Sequence, residues 1–315
     1  MSNTLNRRDF LKTGAAAGIA SGATATVATA QETPLKYQGG KSRWPLCMNT
    51  STIRPASLDE KIRVTAEAGY DMIELWMNDL EDHEKNGGSV KDVGKKIKDL
   101  GLSVIDVIGL WDCLPGTREE VDQMMPTTEN RIRLAAEAGA KHVATLPLPN
   151  REGFDFLWAT DRYREILNLG REKYGILPAF EYVSLFKTVP RFGMAAQIAI
   201  DVNDKDAKLV MDTFHMYKSG SGFEGVRHIS GTFIATFHWN DAPADPVPAE
   251  LGDKHRLLPG DGIFPLVSVL EQLKAIHYEG PLSLELFNQD LWAKPAIDAA
   301  KIGIERMMTH VAQVG

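Results

Sequence analysis

The sequence is short of cysteine, of basic charge and of long apolar runs, and each shortage narrows what the chain can be. Only two cysteines, Cys47 and Cys113, occur in 315 residues. Two thiols make no disulfide framework, so they read as small buried side chains. Lys and Arg number 35 against 42 Asp and Glu, a net charge of −7. Without a basic stripe, nucleic acid is a poor candidate as main partner, and so is an anionic membrane surface. Beyond the first thirty residues nothing approaches the ~18 uninterrupted apolar residues of a membrane span. No G-x-G-x-x-G follows the first expected strand, which leaves a doubly wound nucleotide-binding sheet without its phosphate loop. What remains is an ordinary globular composition, 43% hydrophobic and 24% charged, enough for one large domain or two small ones.

Residues 1–30 stand apart. Asn6-Arg7-Arg8-Asp9-Phe10-Leu11-Lys12 resembles a twin-arginine export signal, and Gly14 to Val27 is a weakly apolar run of mostly Ala, Gly and Thr. Ala28-Thr29-Ala30 then supplies the small-x-small pattern of a signal-peptidase site. The run is too polar and Gly-rich for a stable span. The resemblance implies passage through the twin-arginine export machinery, already folded and often with a cofactor loaded beforehand. The location it implies is periplasmic or extracellular, with no membrane contact after signal removal. The domains expected are therefore a signal peptide at 1–30 and one barrel at 31–315.

From Trp44 onward a single pattern recurs. A helix ends in Gly or a polar turn, and a short apolar run follows. Ala66-Glu67-Ala68-Gly69 leads into Met72-Ile73-Glu74-Leu75-Trp76, and Ala136-Glu137-Ala138-Gly139 into His142-Val143-Ala144-Thr145-Leu146. Gly is the natural helix C-cap, and the runs read as strands buried on both faces. Ser57-Leu58-Asp59-Glu60 has the form of a capping box. Leu266, Val269, Leu270, Leu273 and Ile276 form a core stripe at helical spacing, as do Ile297, Ala300, Ile304, Met307, Met308 and Val311. Strands are expected at 44–49, 72–76, 103–108, 142–146, 176–182, 207–212, 233–239 and 281–286. Eight alternating strand–helix units in about 275 residues predict an α/β fold of the (β/α)8 barrel type. The segment from Ala242 to Leu258 is long for a loop of such a barrel, and long loops in compact domains are usually functional.

Catalytic groups of a barrel gather where its strands end. The last four expected strands end in Phe180-Glu181-Tyr182, Met211-Asp212-Thr213, Phe237-His238-Trp239 and Leu284-Glu285-Leu286. Each delivers one candidate ligand to the same rim. Taken alone, a strand-ending Glu is most often half of a salt bridge. Buried strands, however, seldom carry acids unless these are paired or metal-bound. The alternative is a buried charge network. As ligands, Glu181, Asp212, His238 and Glu285 make a hard, mostly oxygen site suited to one divalent ion: Mn2+, Zn2+, Co2+ or Mg2+.

These residues carry a resemblance. Phe180-Glu181-Tyr182, Asp212-Thr213-Phe214-His215, His238-Trp239-Asn240-Asp241, Asp253-Lys254-His255-Arg256-Leu257-Leu258-Pro259-Gly260-Asp261-Gly262 and Leu282-Ser283-Leu284-Glu285-Leu286-Phe287 resemble the sugar isomerase/epimerase family with a xylose-isomerase-like barrel. Within it the chain looks most like 2-keto-myo-inositol isomerase and relatives that include ketose 3-epimerases and inosose dehydratases. Cys47-Met48-Asn49 and Gly69 to Leu75 resemble the family more loosely. The resemblance implies metal ligands at Glu181, Asp212, His238 and Glu285. It also implies that Glu181 and Glu285 exchange a substrate proton alpha to a carbonyl, through an enediolate that a divalent ion stabilises as a Lewis acid. His215 is expected to point at a substrate oxygen, and Arg256 to hold a hydroxyl or carboxylate. Asn49, Glu74 and Trp111 are further candidate substrate contacts. Trp76, Trp239 and Trp292 also fall near strand ends, where aromatic walls stack on sugars.

Three functions compete on this reading. The first is an isomerase or epimerase of an unphosphorylated keto-sugar or keto-cyclitol. The second is a lyase or dehydratase, of the 3-keto-glycoside or inosose type, that uses the same proton abstraction. The third is a non-catalytic sugar-binding barrel, which would not need two glutamates on one metal. An endonuclease IV-type nuclease is remote, since it needs more histidines and a basic face. No substrate phosphate is expected. The segments Phe287 to Trp292 and Asn240 to Asp245 lack Gly and carry acids, unlike phosphate-binding loops, and Arg256 is the one cation expected nearby. A small carbohydrate is the partner anticipated, with a homo-oligomer left open.

Overall fold

A computed structural model describes residues 35–314, except positions 115, 152 and 153. The leader expected at 1–30 lies outside the described residues. Eight parallel strands close into a barrel in sequence order: β1 (Leu46–Asn49), β2 (Met72–Trp76), β3 (Ser103–Leu114), β4 (His142–Pro147), β5 (Leu177–Glu181), β6 (Leu209–Asp212), β7 (Ile234–His238) and β8 (Leu282–Leu284). Around them run α1 (Leu58–Glu67), α2 (Met77–Lys85), α3 (Val90–Asp99), α4 (Arg118–Glu137), α5 (Phe156–Leu169), α6 (Phe192–Asp201), α7 (Thr213–Lys218), α8 (Leu266–Ala275), α9 (Gln289–Trp292) and α10 (Ala296–Val311). No described helix is long and apolar enough to cross a membrane.

The anticipated punctuation is in place. Gly69 and Gly139 end α1 and α4 at φ +89° and +80°, a conformation that costs any residue with a Cβ. The α8 stripe buries Leu266, Val269, Leu270 and Leu273, and α10 buries Ala300, Ile304, Met307 and Val311. Cys47 and Cys113 are both buried.

Local details differ. At α1 the Ser57 hydroxyl accepts the Glu60 N–H at 3.3 Å, but Glu60 faces Arg63 at 3.8 Å, so only half of the expected capping box forms. Strand β1 starts at Leu46 rather than 44, because Pro45 has no N–H to pair. Strand β3 runs to Leu114 rather than 108. Its register with β4 slips between Ile108 and Leu110 and again between Leu110 and Leu114. Those irregularities let the strand climb past the rim and carry Trp111 with it.

Candidate metal centre and active site

Glu181, Asp212 and His238 are the last residues of β5, β6 and β7, and Glu285 is the first beyond β8. Asp212 and His238 are direct partners in the β6–β7 register, and Ser283, two before Glu285, partners His238. Side chains two residues apart share a face of a strand, so all four point inward at one level. Their donor atoms lie within 4.8 Å of one another. Donors bound to one ion at about 2.0–2.2 Å stand roughly 3.3–4.4 Å apart, so a modest inward movement of the side chains suffices.

The donors suit a divalent cation on two counts. Three carboxylates are packed in a space where burial pushes Glu181 well above the usual carboxylate range, with Glu285 and Asp212 adding to it. The second count is an orphaned atom. His238 is fully buried, and its Nδ1 has no hydrogen-bond partner although it stands 3.1 Å from Glu285 Oε2. Its other nitrogen, Nε2, lies 3.0 Å from Glu74 Oε1. An imidazole that donates Nε2–H to a carboxylate presents a lone pair at Nδ1, which is how a metal-ligating histidine is oriented.

Glu74 and Asn49 therefore sit beneath the four donors. Both are fully buried, and neither lines the cavity above. Glu74 Oε2 accepts from Asn49 Nδ2 at 2.8 Å and from Ser283 Oγ at 2.5 Å, and Asn49 Nδ2 also reaches Glu285 Oε1 at 3.3 Å. The pair faces the ligand set. Replacing Glu74 with Ala frees the His238 tautomer. Metal affinity, read by competition with a chelating dye, is expected to fall 10- to 100-fold, with Glu74→Gln falling less because its carbonyl still accepts Nε2–H. Unchanged affinity in Glu74→Ala would remove Glu74 from that role.

Above the donors opens a cavity of about 150 Å3. Glu181, Glu285, His215 and Arg256 form its polar floor, and Trp76, Trp111, Leu185, Phe186 and Phe287 are among its apolar walls. Of the four tryptophans near strand ends, Trp76 and Trp111 line it. Trp239 is fully buried against His310, and Trp292 donates to the Ser51 carbonyl, away from the cavity. His215 sits in the first turn of α7, with Nδ1 2.8 Å from Ser184 Oγ and Nε2 3.3 Å from Arg256 Nη2. A guanidinium only donates, so Nε2 accepts and the ring is neutral. In keeping with that, burial pushes its pKa down to about 4.

Arg256 reaches the floor from the long segment after β7. Nη1 lies 2.5 Å from Asp212 Oδ2 and 3.1 Å from Glu285 Oε2, and Nε lies 3.0 Å from Asp253 Oδ1. Burial alone would raise Asp212, but the guanidinium overrides it and holds that carboxyl well below its usual range. Arg256 was not the sole cation near the walls. Arg54 stacks behind Trp76 at 5.1 Å and Arg131 behind Trp111 at 5.0 Å, both outside the cavity lining.

Asp241 received no role from the sequence alone, and it organises this segment. Oδ1 accepts the N–H groups of Ala242 and Phe264, and Oδ2 those of Gly260 and Gly262, at 2.8–3.1 Å. A Cβ on Gly262 would overlap the Ala242 carbonyl and the Asp241 carboxylate. The R-x-x-P-G-x-G run is thus a loop wound round one carboxylate, and its spacing delivers Arg256. Ser184, Asp253, Leu185, Phe186 and Phe287 were likewise missed. They sit on connecting segments, where no periodicity tells which way a side chain points.

Known proteins agree with this architecture. Residues 62–310 match the family model described as xylose isomerase-like TIM barrel. Inosose isomerase of Bacillus licheniformis is 27% identical over 278 residues, 85% of this chain and 98% of that protein. The 3-dehydroshikimate dehydratase of Pseudomonas aeruginosa is 27% identical over 255 residues, 80% of this chain but 39% of that longer protein. Among solved structures, IOLI protein with a binding zinc atom superposes with a TM-score of 0.78 at 24% identity, covering 86% of this chain and 99% of its own. The closed barrel and a match over most of its length together place this chain in the xylose isomerase-like TIM barrel family.

Proposed function

We propose that the protein is a divalent-metal-dependent isomerase or epimerase of an unphosphorylated keto-sugar or keto-cyclitol, working through an enediolate. The observation that carries this is the pair Glu181 and Glu285, which meet at one candidate metal cluster on the floor of an aromatic-walled cavity. The relatives named inosose isomerase support the substrate class. Glu181, Asp212, His238 and Glu285 would hold the ion, which when bound supplies Lewis-acid polarisation of the substrate carbonyl. Zn2+ has a precedent in IOLI protein, and Mn2+, Co2+ and Mg2+ suit the same donors. Glu181 takes the proton from the carbon alpha to the carbonyl, and Glu285 or Glu181 returns it. Arg256 donates to a substrate oxygen, and His215, whose Nε2 accepts from Arg256 Nη2, orients that guanidinium. Trp76 and Trp111 cover the apolar face of the ring and keep water from the carbanionic carbon.

A lyase or dehydratase reading is favoured by the similarity to 3-dehydroshikimate dehydratase. It begins with the same proton removal and ends in loss of a β-hydroxyl or glycosidic oxygen. Incubation of metal-loaded protein in D2O with keto-sugars, keto-inositols and keto-glycosides separates the two. Isomerisation with deuterium at the alpha carbon is the expected result, and elimination products establish the second reading. Product without label at that carbon would point to hydride transfer or to a fully shielded proton. Free substrates are expected to exceed their phosphorylated forms in kcat/KM, because Arg256 is engaged by three carboxylates.

We further propose that residues 1–30 are a twin-arginine leader and that the barrel works in the periplasm or outside the cell, on the strength of Arg7-Arg8-Asp9-Phe10-Leu11. Changing Arg7 and Arg8 together to Lys is expected to trap the protein in the cytoplasm. Export that survives the change, followed by fractionation, would overturn the leader assignment.

A further inference from the structure

At the end of the barrel opposite the metal cluster, where the strands begin, lies a second cavity of about 320 Å3. Three nitrogen-bearing side chains at the strand starts converge on it, beside the exposed His277: Lys141 just before β4, His142 at the start of β4, and Lys208 just before β6. The backbone fixes both lysines against the intervening β5. The Lys141 carbonyl accepts the Leu177 N–H, and the Lys208 carbonyl accepts the Phe180 N–H at 2.8 Å. Asp206 offsets the Lys208 charge only in part. Among the described residues neither has a carboxylate within ion-pairing distance. Asp206, two residues before Lys208, is tied to Arg171 and Lys205. Glu279, the one carboxylate on the wall among the described residues, pairs with neither. The like charges are felt: burial and Lys141 together lower the Lys208 pKa.

His142 adds a second, independent feature. It is 1% exposed, and its Nδ1 stands 3.3 Å from the Leu177 carbonyl. A carbonyl only accepts, so the proton is on Nδ1 and Nε2 carries a lone pair. Nε2 has no hydrogen-bond partner among the described residues. The ring stays neutral, since burial and the two lysines push its pKa down to about 3. The cavity therefore offers two ammonium groups and one buried acceptor. A fully deprotonated anion would satisfy the lysines and face the lone pair with another. An oxyanion that keeps one O–H satisfies all three.

We propose that this strand-start mouth binds a small oxyanion that retains a hydroxyl hydrogen, either hydrogen phosphate or a hydroxycarboxylate. Lys141 and Lys208 grip the charge, and His142 Nε2 accepts the hydroxyl. At about 30 Å3 per water of liquid volume, the cavity holds on the order of ten waters, room for either ligand. The site is independent of the metal reading.

The test is isothermal titration and thermal unfolding of the full chain with inorganic phosphate, citrate and sulfate, at one ionic strength set with sodium chloride. Phosphate or citrate is expected to bind saturably and raise Tm, whichever binds tighter naming the source. Sulfate, which has no hydroxyl at neutral pH, is expected to bind at least tenfold more weakly. Lys141→Gln with Lys208→Gln is expected to weaken binding tenfold or more. Lys141→Gln alone, at an exposed side chain, keeps the test open should the double variant misfold. Asp212→Asn, at the other end of the barrel, is expected to leave phosphate affinity unchanged. Sulfate binding as tightly as phosphate, no saturable binding of phosphate or citrate, or full affinity in the lysine variants would each overturn the proposal.

Discussion

Asp212→Asn and His238→Ala are each expected to leave the purified protein with little bound metal, affinity falling by more than the ~100-fold that outer-sphere changes reach. Each removes one of the four donors that converge among the described residues. The choice of Asn at 212 is deliberate. Asp212 Oδ1 accepts from Phe214 N at 2.7 Å and His215 N at 3.2 Å, so it also caps α7. Alanine would add a capping loss of about 1 kcal/mol and confuse metal loss with unfolding. Asparagine keeps an oxygen for the cap and gives up only the charge that a cation, and Arg256, would meet. His238→Ala strips the orphaned Nδ1 outright and leaves Glu74 to Asn49 and Ser283. Metal analysis after dialysis, with Tm measured with and without added Mn2+ or Zn2+, reads both variants. Metal should stabilise the parent and not the variants. Full occupancy in either would dismantle the ligand assignment.

Those four positions were legible in the sequence for a physical reason. A strand buried on both faces has almost no tolerance for charge, so an acid or His at four successive strand ends demands a common explanation. The alternation of side chains also says correctly that Asn49 and Glu74 point inward. It does not say how deep they lie. Glu74 falls in mid-strand, two residues before the end of β2, where its carboxylate meets His238, Asn49 and Ser283. Depth depends on strand stagger around the closed barrel, which no single strand encodes. Trp239 shows the same limit in another form. It follows His238 directly, so it faces the other way and is buried outside the barrel. The cavity roof was illegible because Leu185 and Phe186 belong to a connecting segment.

Glu181→Gln, assayed at saturating metal, is expected to lower turnover by on the order of 10²-fold or more, the usual contribution of a general base. The two glutamates are not equivalent. Glu285 is held from two sides, by Asn49 Nδ2 at 3.3 Å and Arg256 Nη1 at 3.1 Å. Both donors occupy lone pairs that an incoming proton would need. Glu181 has no hydrogen-bond donor among the described residues, and His238 Nδ1 lies 3.6 Å from its Oε1. It lines the cavity, on the floor shared with Arg256 and His215. A base must be within reach of the substrate and must not already be spent on a donor, and only Glu181 meets both conditions. Glutamine preserves its volume and one ligand oxygen, so the metal site is weakened rather than emptied, and excess metal restores occupancy. Glu285→Gln should also slow the reaction, but with part of its effect in KM, because it loosens Arg256 as well. Deuterium wash-in from D2O gives an independent readout. Glu181→Gln should suppress exchange at the alpha carbon together with turnover. Exchange that persists while turnover falls would mean that another group takes the proton and Glu181 acts later. Turnover within tenfold of the parent at full metal occupancy would transfer the role to a different wall residue.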